Sequence, residues 1–324
     1  FCLTLKTWCM KKNYYVGAAL ALFLLAGCND DTEVKFTNDS GVKVTFSAVI
    51  NDPNASNLSR VTGVAFDDGD SLGITCGPTQ VNVKYRYNAA DQSFTAMNAF
   101  NEVWLMGNDE YQVTAYYPYR GDEDVAPMVQ TVETTSEFQQ TKNSRESIDY
   151  LYSSGTANRQ NPNVQLAFGH VMSRMVLRFK PGKDSQGNPV TLSDVDFFIS
   201  GLNLYGTFNP NTGETAVTPL PVDESGNVVE DPSREKSVYQ QLDESNDFTF
   251  TGIFLPQAVD GSNEFGGVLL EGAMRTGNTR SYYSVTIGPD VLPELAAGYS
   301  YEYELTANAY NDNEIELVLS GVQI

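Results

Sequence analysis

Residues 164–179, which read VQLAFGHVMSRMVLRF, constrain the fold of this chain more than any other stretch. The alternating apolar side chains stand at even positions up to Phe168 and at odd positions from Val171 onward. Because the side chains of a strand point to opposite faces in turn, this change of parity predicts a bend or bulge near Gly169 and His170. We therefore expect two consecutive buried strands in a central sheet.

The composition favours many short strands over helices. The 324 residues include 26 Gly, 14 Pro, 18 Tyr and 17 Phe, which either separate strands or favour them. A chain of this length can bury two ordinary cores, so two β domains are predicted. The boundary is expected at residues 180–184, where Pro and Gly interrupt a buried strand and a polar run follows. Residues 131–145 and 219–247 are polar and are expected to be surface loops.

Residues 10–28 resemble an export signal, and residues 1–9 are expected to lie upstream of it. Met10 and two lysines precede a short apolar run that ends in LAGC at residues 25–28. This ending is similar to the bacterial lipobox, in which small residues admit the signal peptidase and the cysteine thiol accepts a diacylglycerol. We expect residues 1–27 to be removed and acyl chains, including palmitate, on Cys28 to anchor the protein in the membrane. Residues 28–40 would then form an acidic tether.

Charge and cysteine content exclude several classes of protein. The chain carries a net charge of −21, and loss of residues 1–27 would remove three lysines and no acid. Such an acidic surface repels phosphate, so nucleic acid is not an expected partner. Of four cysteines, only Cys76 lies beyond Cys28, so no intramolecular disulfide is available and burial alone must stabilise the fold.

No sequence pattern predicts catalysis. His170 is the sole histidine and lies in an apolar strand pattern that is typical of a structural residue. No second His or Cys completes a transition-metal site, and no nucleotide-binding or hydrolase fingerprint is present. Asp67, Asp68 and Asp70 lack the spacing of a calcium loop and predict a turn between strands. We expect no enzymatic activity, no metal and no cofactor.

Clear alternation marks both ends of the exported chain. Near the start, five apolar side chains share one face of a predicted half-buried strand: Val42, Val44, Phe46, Ala48 and Ile50. In the last strand, the apolar positions shift parity at Ser320 and Gly321. They are Ile315, Leu317, Leu319, Val322 and Ile324.

Four short motifs occur in order along the chain. They read DYLY, VQLAFGHVMS, FLPQ and AGYSYEY at residues 149–152, 164–173, 254–257 and 297–303. In kind and order they resemble the DLLY, VxLxFxHxLS, LLPQ and AGxxYxY segments of the fimbrillin-like (Mfa-like) surface proteins of Bacteroidetes. The resemblance implies an all-β subunit of a type V pilus with two tandem transthyretin-like Greek-key β-sandwich domains, here residues 41–182 and 183–324.

The resemblance also implies a route of export and assembly. Acidic residues after Cys28 resemble the signal for display on the outer face of the outer membrane. A trypsin-like protease would cut after Arg60, releasing the lipid and the strand at residues 42–50. A strand from another fimbrillin-like subunit would fill the vacated groove, and the terminal strand at residues 315–324 is the expected donor.

The same residues allow an alternative. Arg60 also fits an uncut exposed loop, and the chain stops soon after its last strand. The protein would then be an uncut, lipid-anchored pilus anchor, or a tip adhesin that binds a host glycan or protein. Trp104, the one tryptophan beyond the signal, is the residue expected to stack against a glycan.

Overall fold

Strands dominate the computed structural model, which describes residues 41–51, 65–219, 221, 223–225, 229, 231–276, 279–309 and 315–323. The first half of the chain contains β1 (Val42–Lys43), β2 (Thr45–Asn51), β3 (Ser71–Cys76), β4 (Gln80–Asn88), β5 (Ser93–Ala96), β6 (Trp104–Leu105), β7 (Tyr111–Tyr117), β8 (Gln130–Glu133), β9 (Leu151–Ala157) and β10 (Asn163–His170).

The second half continues the same pattern of short strands. It contains β11 (Ser173–Asp184), β12 (Leu192–Ser200), β13 (Tyr205–Phe208), β14 (Thr215–Val217), β15 (Ser237–Leu242), β16 (Thr249–Phe254), β17 (Gln257–Ala258), β18 (Val268–Thr276), β19 (Thr279–Ile287), β20 (Glu294–Leu295), β21 (Ser300–Ala309) and β22 (Glu316–Gln323).

Helices are short and few in the described ranges. They are α1 (Ser136–Gln139), α2 (Lys142–Glu146) and two 3-10 turns at Ala99–Asn101 and Glu244–Asn246. None of these helices has the length and apolar character needed to cross a bilayer.

The first sandwich is built from one large sheet. Its seven strands run in the order β2-β10-β9-β7-β3-β4-β5, and every pair is antiparallel except β10 with β2. The edge strands β2 and β5 contact one another, so the curved sheet encloses a single core. The Phe66 ring packs inside this core against the rings of Phe94 and Phe168, at centroid distances of 5.3 and 5.4 Å.

The second sandwich consists of two four-stranded sheets. Their strand orders are β16-β11-β21-β22 and β15-β12-β18-β19. Aromatic rings from both sheets meet in the core, where Phe197 lies 5.7 Å from Phe179 and 4.9 Å from Phe250 between ring centroids. The prediction of an all-β fold with two β-sandwiches is confirmed.

The parity change in residues 164–179 marks the passage between the two sandwiches. β10 ends at His170 in the first sandwich, and β11 begins at Ser173 in the second. Residue 182, where the boundary was expected, lies inside β11, which pairs within the second sandwich. Pro181 is tolerated there because it pairs with Ala307 at the start of a register shift, where the regular ladder is interrupted.

A three-stranded sheet joins the two halves of the chain. β8 pairs with β13, which also pairs with β14. Beneath this sheet, the rings of Tyr150 and Phe208 stack at a centroid distance of 4.4 Å. The expectation of surface loops is therefore wrong at two places: Val132 on β8 is 1% exposed, and β15 lies within residues 219–247. Both segments bury only a few side chains, so their overall composition stays polar.

The aspartates ahead of β3 form a turn, as predicted. The Asp70 N–H donates to the Asp67 carbonyl at 3.0 Å, and Gly69 adopts a φ of +98°. Glycine suits this position because a positive φ strains residues that carry a Cβ. In the described ranges, no group of three or more His, Cys, Asp and Glu residues could hold a metal ion.

Candidate strand-exchange site

The predicted replaceable strand spans two neighbours. β1 pairs antiparallel with β6, whereas β2 pairs in parallel with β10 from Thr45 opposite Asn163 to Asn51 opposite Gly169. Between them, the Val44 N–H donates to the Val103 carbonyl at 2.9 Å. The segment therefore covers the edge of β6 with its first residues and the edge of β10 with the rest.

The apolar face of this segment points into the first core, as the alternation predicts. Val44 is 1% exposed and Phe46 is 3% exposed, while Val42, Ala48 and Ile50 are half-buried. Burial of the Val44 and Phe46 side chains stabilises the strand by about 3–6 kcal/mol as an upper estimate. The segment is therefore held firmly, yet it contributes only part of the about 5–15 kcal/mol that stabilises a typical domain.

The Phe46 ring packs against a neighbouring tyrosine. It lies edge-on to the ring of Tyr85, with 5.1 Å between centroids. The Tyr85 hydroxyl accepts a hydrogen bond of 3.0 Å from the Val103 N–H, and burial raises the pKa of this hydroxyl to about 12. Tyr85 thus supports both the strand and the β6 edge that the strand covers.

β2 lies at an edge of its sheet. In the described part of the chain its ladder has one partner, β10, and its other side has no hydrogen-bonded strand. An edge strand can leave without breaking a second ladder. The backbone hydrogen bonds that hold β2 are therefore confined to one side.

The terminal strand β22 is also an edge strand. It pairs antiparallel with β21 alone among the described residues. Ile315 and Leu317 are 4% and 7% exposed in the second core, and Leu319 packs against the same core. β22 therefore fills a place in its own sandwich.

The predicted parity change in β22 corresponds to a bulge. Tyr303 pairs with Val322, but Glu304 pairs with Ser320, so Gly321 has no opposite residue. The prediction of an irregularity at Ser320 and Gly321 is confirmed. The side chain of Val322 and the whole of Ile324 lie outside the described residues, as do Cys28 and Arg60.

His170 contacts a carboxylate at the passage between the sandwiches. Its Nδ1 lies 2.9 Å from Oδ1 of Asp149, and both side chains are largely buried. The pair connects the DYLY motif to the end of β10, next to the turn that leads to Ser173. The geometry is that of a positioning contact within the fold.

Cys76 is buried in the first core. It is 1% exposed, and burial raises the pKa of its thiol to about 11. We expect the native protein to resist alkylation by iodoacetamide at pH 8, because little thiolate forms and the reagent cannot reach it. Mass spectrometry of the Cys76 peptide checks this, with guanidinium-unfolded protein as the fully reactive control. Rapid labelling of the folded chain would contradict the burial.

The protein exposes two aromatic surfaces, of which the sequence predicted only the one at Trp104. Trp104, the predicted glycan contact, is 41% exposed on β6, opposite Lys43 of β1. Phe198, Tyr239 and Tyr282 form a second exposed aromatic surface that the sequence analysis missed. Their alternating positions look like those of core residues, and only the sheet order reveals that they share an outer face.

These features define a tandem β-sandwich protein with an edge strand near the start of the described chain and another at its end. The sequence model of the fimbrillin-like family matches residues 59–323, and the chain belongs to this family. No curated protein is significantly similar to it.

Crystal structures of other proteins share this fold, including two from Bacteroides species. A proposed cell adhesion protein from Bacteroides ovatus is 23% identical, with 88% of this chain and 98% of that chain covered at a TM-score of 0.63. A proposed cell adhesion protein from Bacteroides uniformis is 19% identical, with 87% and 97% covered at a TM-score of 0.57.

Proposed function

We propose that the protein is a structural, non-enzymatic subunit of a surface fimbria of the type V pilus class. It is exported as a lipoprotein, held in the outer membrane through Cys28, and assembled with other fimbrillin-like subunits by strand exchange after cleavage at Arg60. Family membership supports the subunit role. The edge position of the segment Val42–Asn51 is the observation that carries the exchange step.

Cleavage changes the thermodynamics of this segment. Its covalent link to the rest of the chain runs through residues 52–64, which include Arg60. While linked, the segment has a high effective concentration at its own groove and returns after each opening. Once cut, it is diluted when it leaves, and a competing strand can then take its place.

β22 has the pattern required of the replacement. Ile315, just before β22, and Leu317 and Leu319 within it repeat the spacing of the inward residues on β2. The ladder with β21 and a 2.9 Å hydrogen bond from the Ile315 N–H to the Tyr282 carbonyl hold this segment in its own sandwich. Removing Ile315 and Leu317 from their core costs about 3–6 kcal/mol, which is similar to the gain on burying the same side chains in a neighbour's groove. The free energies of removing β22 from its own core and of inserting it into a neighbour's groove are therefore nearly equal. Dissociation and dilution of the cut segment then shift the equilibrium toward strand exchange.

Disulfide trapping tests the exchange directly. Ala167 on β10 and Val318 on β22 both point outward, and Ala167 pairs with Val49 in the intact chain. We expect the double variant Ala167→Cys with Val318→Cys to form disulfide-linked multimers after trypsin treatment, and few before it. The natural cysteines other than buried Cys76 precede Arg60 and leave with the cut segment.

Two further changes complete the experiment: a second position for the cysteine on β10, and a chain that trypsin cannot cut at residue 60. Gln165→Cys replaces Ala167→Cys to allow for a shift of two residues in register, because both side chains point outward from β10. Arg60→Gln in each background should abolish both the new N-terminus at Val61 and the multimers. A clean cut at Arg60 that leaves monomers in both registers would overturn strand exchange. No cut at all would favour the uncut anchor or tip protein.

A further inference from the structure

The outer face of the β15-β12-β18-β19 sheet contains a groove of about 970 Å³. Tyr282 is 67% exposed at one side of it, and Phe198 and Tyr239 are 38% and 37% exposed at the other. This volume is at the upper end of the range for small-molecule sites. Three exposed aromatic rings around one concave surface are costly to leave in water, which points to a ligand.

The sheet register explains the shape of the groove. Asp196 pairs with Ala273, which in turn pairs with Tyr282 on the next strand. The small Ala273 therefore forms the floor between two larger side chains, which lie two strand spacings, or about 10 Å, apart. In the neighbouring row, Phe198 pairs with Tyr239, and their ring centroids are 4.8 Å apart.

A charge pair between Asp196 and Arg280 lies beside the aromatic rings. The Asp196 carboxylate accepts a hydrogen bond of 3.1 Å from the Tyr239 hydroxyl and forms an ion pair with the Arg280 guanidinium. A carboxylate held against a guanidinium offers an acceptor and donors side by side. Adjacent sugar hydroxyl groups match this arrangement, because one can donate to the carboxylate while the next accepts from the guanidinium.

The net negative charge of the residues that line the groove favours neutral over anionic ligands. Asp196, Glu271 and Glu316 contribute three acids, against the single base Arg280. This balance repels sialylated or sulfated glycans, whereas an uncharged sugar presents an apolar ring face to the tyrosines and hydroxyl groups to the charge pair. We propose that this groove is a binding site for a neutral oligosaccharide, separate from Trp104 on the first sandwich.

Calorimetric titration of the full, uncut chain tests the site without depending on strand exchange. The probes are maltotetraose and chitotetraose as neutral sugars, with sialyllactose as the anionic comparison. We expect at least one neutral probe to bind with a Kd near or below about 1 mM and sialyllactose to bind at least tenfold more weakly. No binding of either neutral probe, or preference for sialyllactose, would overturn the proposal.

Variants locate the binding. Tyr282→Ala should weaken the neutral probe at least tenfold, and Asp196→Asn should weaken it by several-fold, because the side chains lie at the groove surface. Tyr299→Ala is the matched control, since Tyr299 is 45% exposed and does not line the groove. Binding that survives Tyr282→Ala, or that is lost equally in Tyr299→Ala or Trp104→Ala, would place the ligand elsewhere. Unchanged thermal unfolding of each variant separates lost contacts from lost structure.

Discussion

Phe46→Ala should destabilise the first sandwich by about 3–5 kcal/mol, the usual cost of truncating a buried phenylalanine. The ring is 3% exposed and packs edge-on against Tyr85, so its loss leaves a cavity at the edge where β2 is held. Guanidinium unfolding followed by the fluorescence of Trp104, on β6 beside β1, measures the change in a Trp8→Phe background. The two sandwiches need not unfold together, so a local probe is required.

Val49→Ala is the matched control for Phe46→Ala. Val49 lies on the same strand with its side chain outward and 44% exposed, so truncation should change stability by no more than about 0.5 kcal/mol. After cleavage, the Phe46→Ala chain should also release its first segment faster and form multimers sooner than the control. Equal effects of the two substitutions would show that the inward face of β2 does not hold the strand.

Gln139→Leu should destabilise the junction between the sandwiches by about 2–5 kcal/mol. The Gln139 side chain is fully buried on α1, where its amide nitrogen donates to the carbonyls of Ile253 at 2.8 Å and Thr134 at 3.1 Å. Its amide oxygen accepts from the Ile253 N–H at 2.9 Å. The side chain thus pairs with β16 as a neighbouring strand would, and leucine leaves these polar groups unpaired.

Hydrogen exchange at the Ile253 amide provides the specific measurement for Gln139→Leu. If the substitution lowers the free energy of local opening at Ile253 by about 3 kcal/mol, hydrogen exchange there should accelerate by two or more orders of magnitude. Each 1.4 kcal/mol corresponds to a factor of ten. Glu137→Leu serves as the control on the same helix, because Glu137 is exposed. Unchanged protection of Ile253 in Gln139→Leu would mean that the amide pairing is not what holds β16 to α1.

Local patterns predicted individual strands well. The inward face of β1 and β2, the turn at Asp67 and Asp70, and the bulge at Gly321 all follow from residues close together in sequence. Each depends on the alternation of side chains or on a preferred backbone conformation. Such properties are set by the chain itself, with little help from distant partners.

Long-range pairings were harder to predict. Pro181 and Gly182 suggested a domain boundary, yet β11 continues through them because β21 lies alongside and accommodates a register shift. The polar segment around Gln139 looked like a surface loop, since nothing in its composition reveals that the amide meets the backbone of Ile253. Exposed tyrosines such as Tyr282 alternate just as core tyrosines do.

The amino-acid sequence alone determined that this protein is all-β, that apolar strands lie at residues 42–50 and 315–323, and that the strand pattern changes at Gly169 and His170. Tertiary structure decided which strands are neighbours, where one sandwich passes to the next, and which aromatic faces remain open to solvent. The reason is physical: alternation specifies that a strand has an inner and an outer face, but hydrogen bonds to distant strands decide what lies beside it and what covers each face.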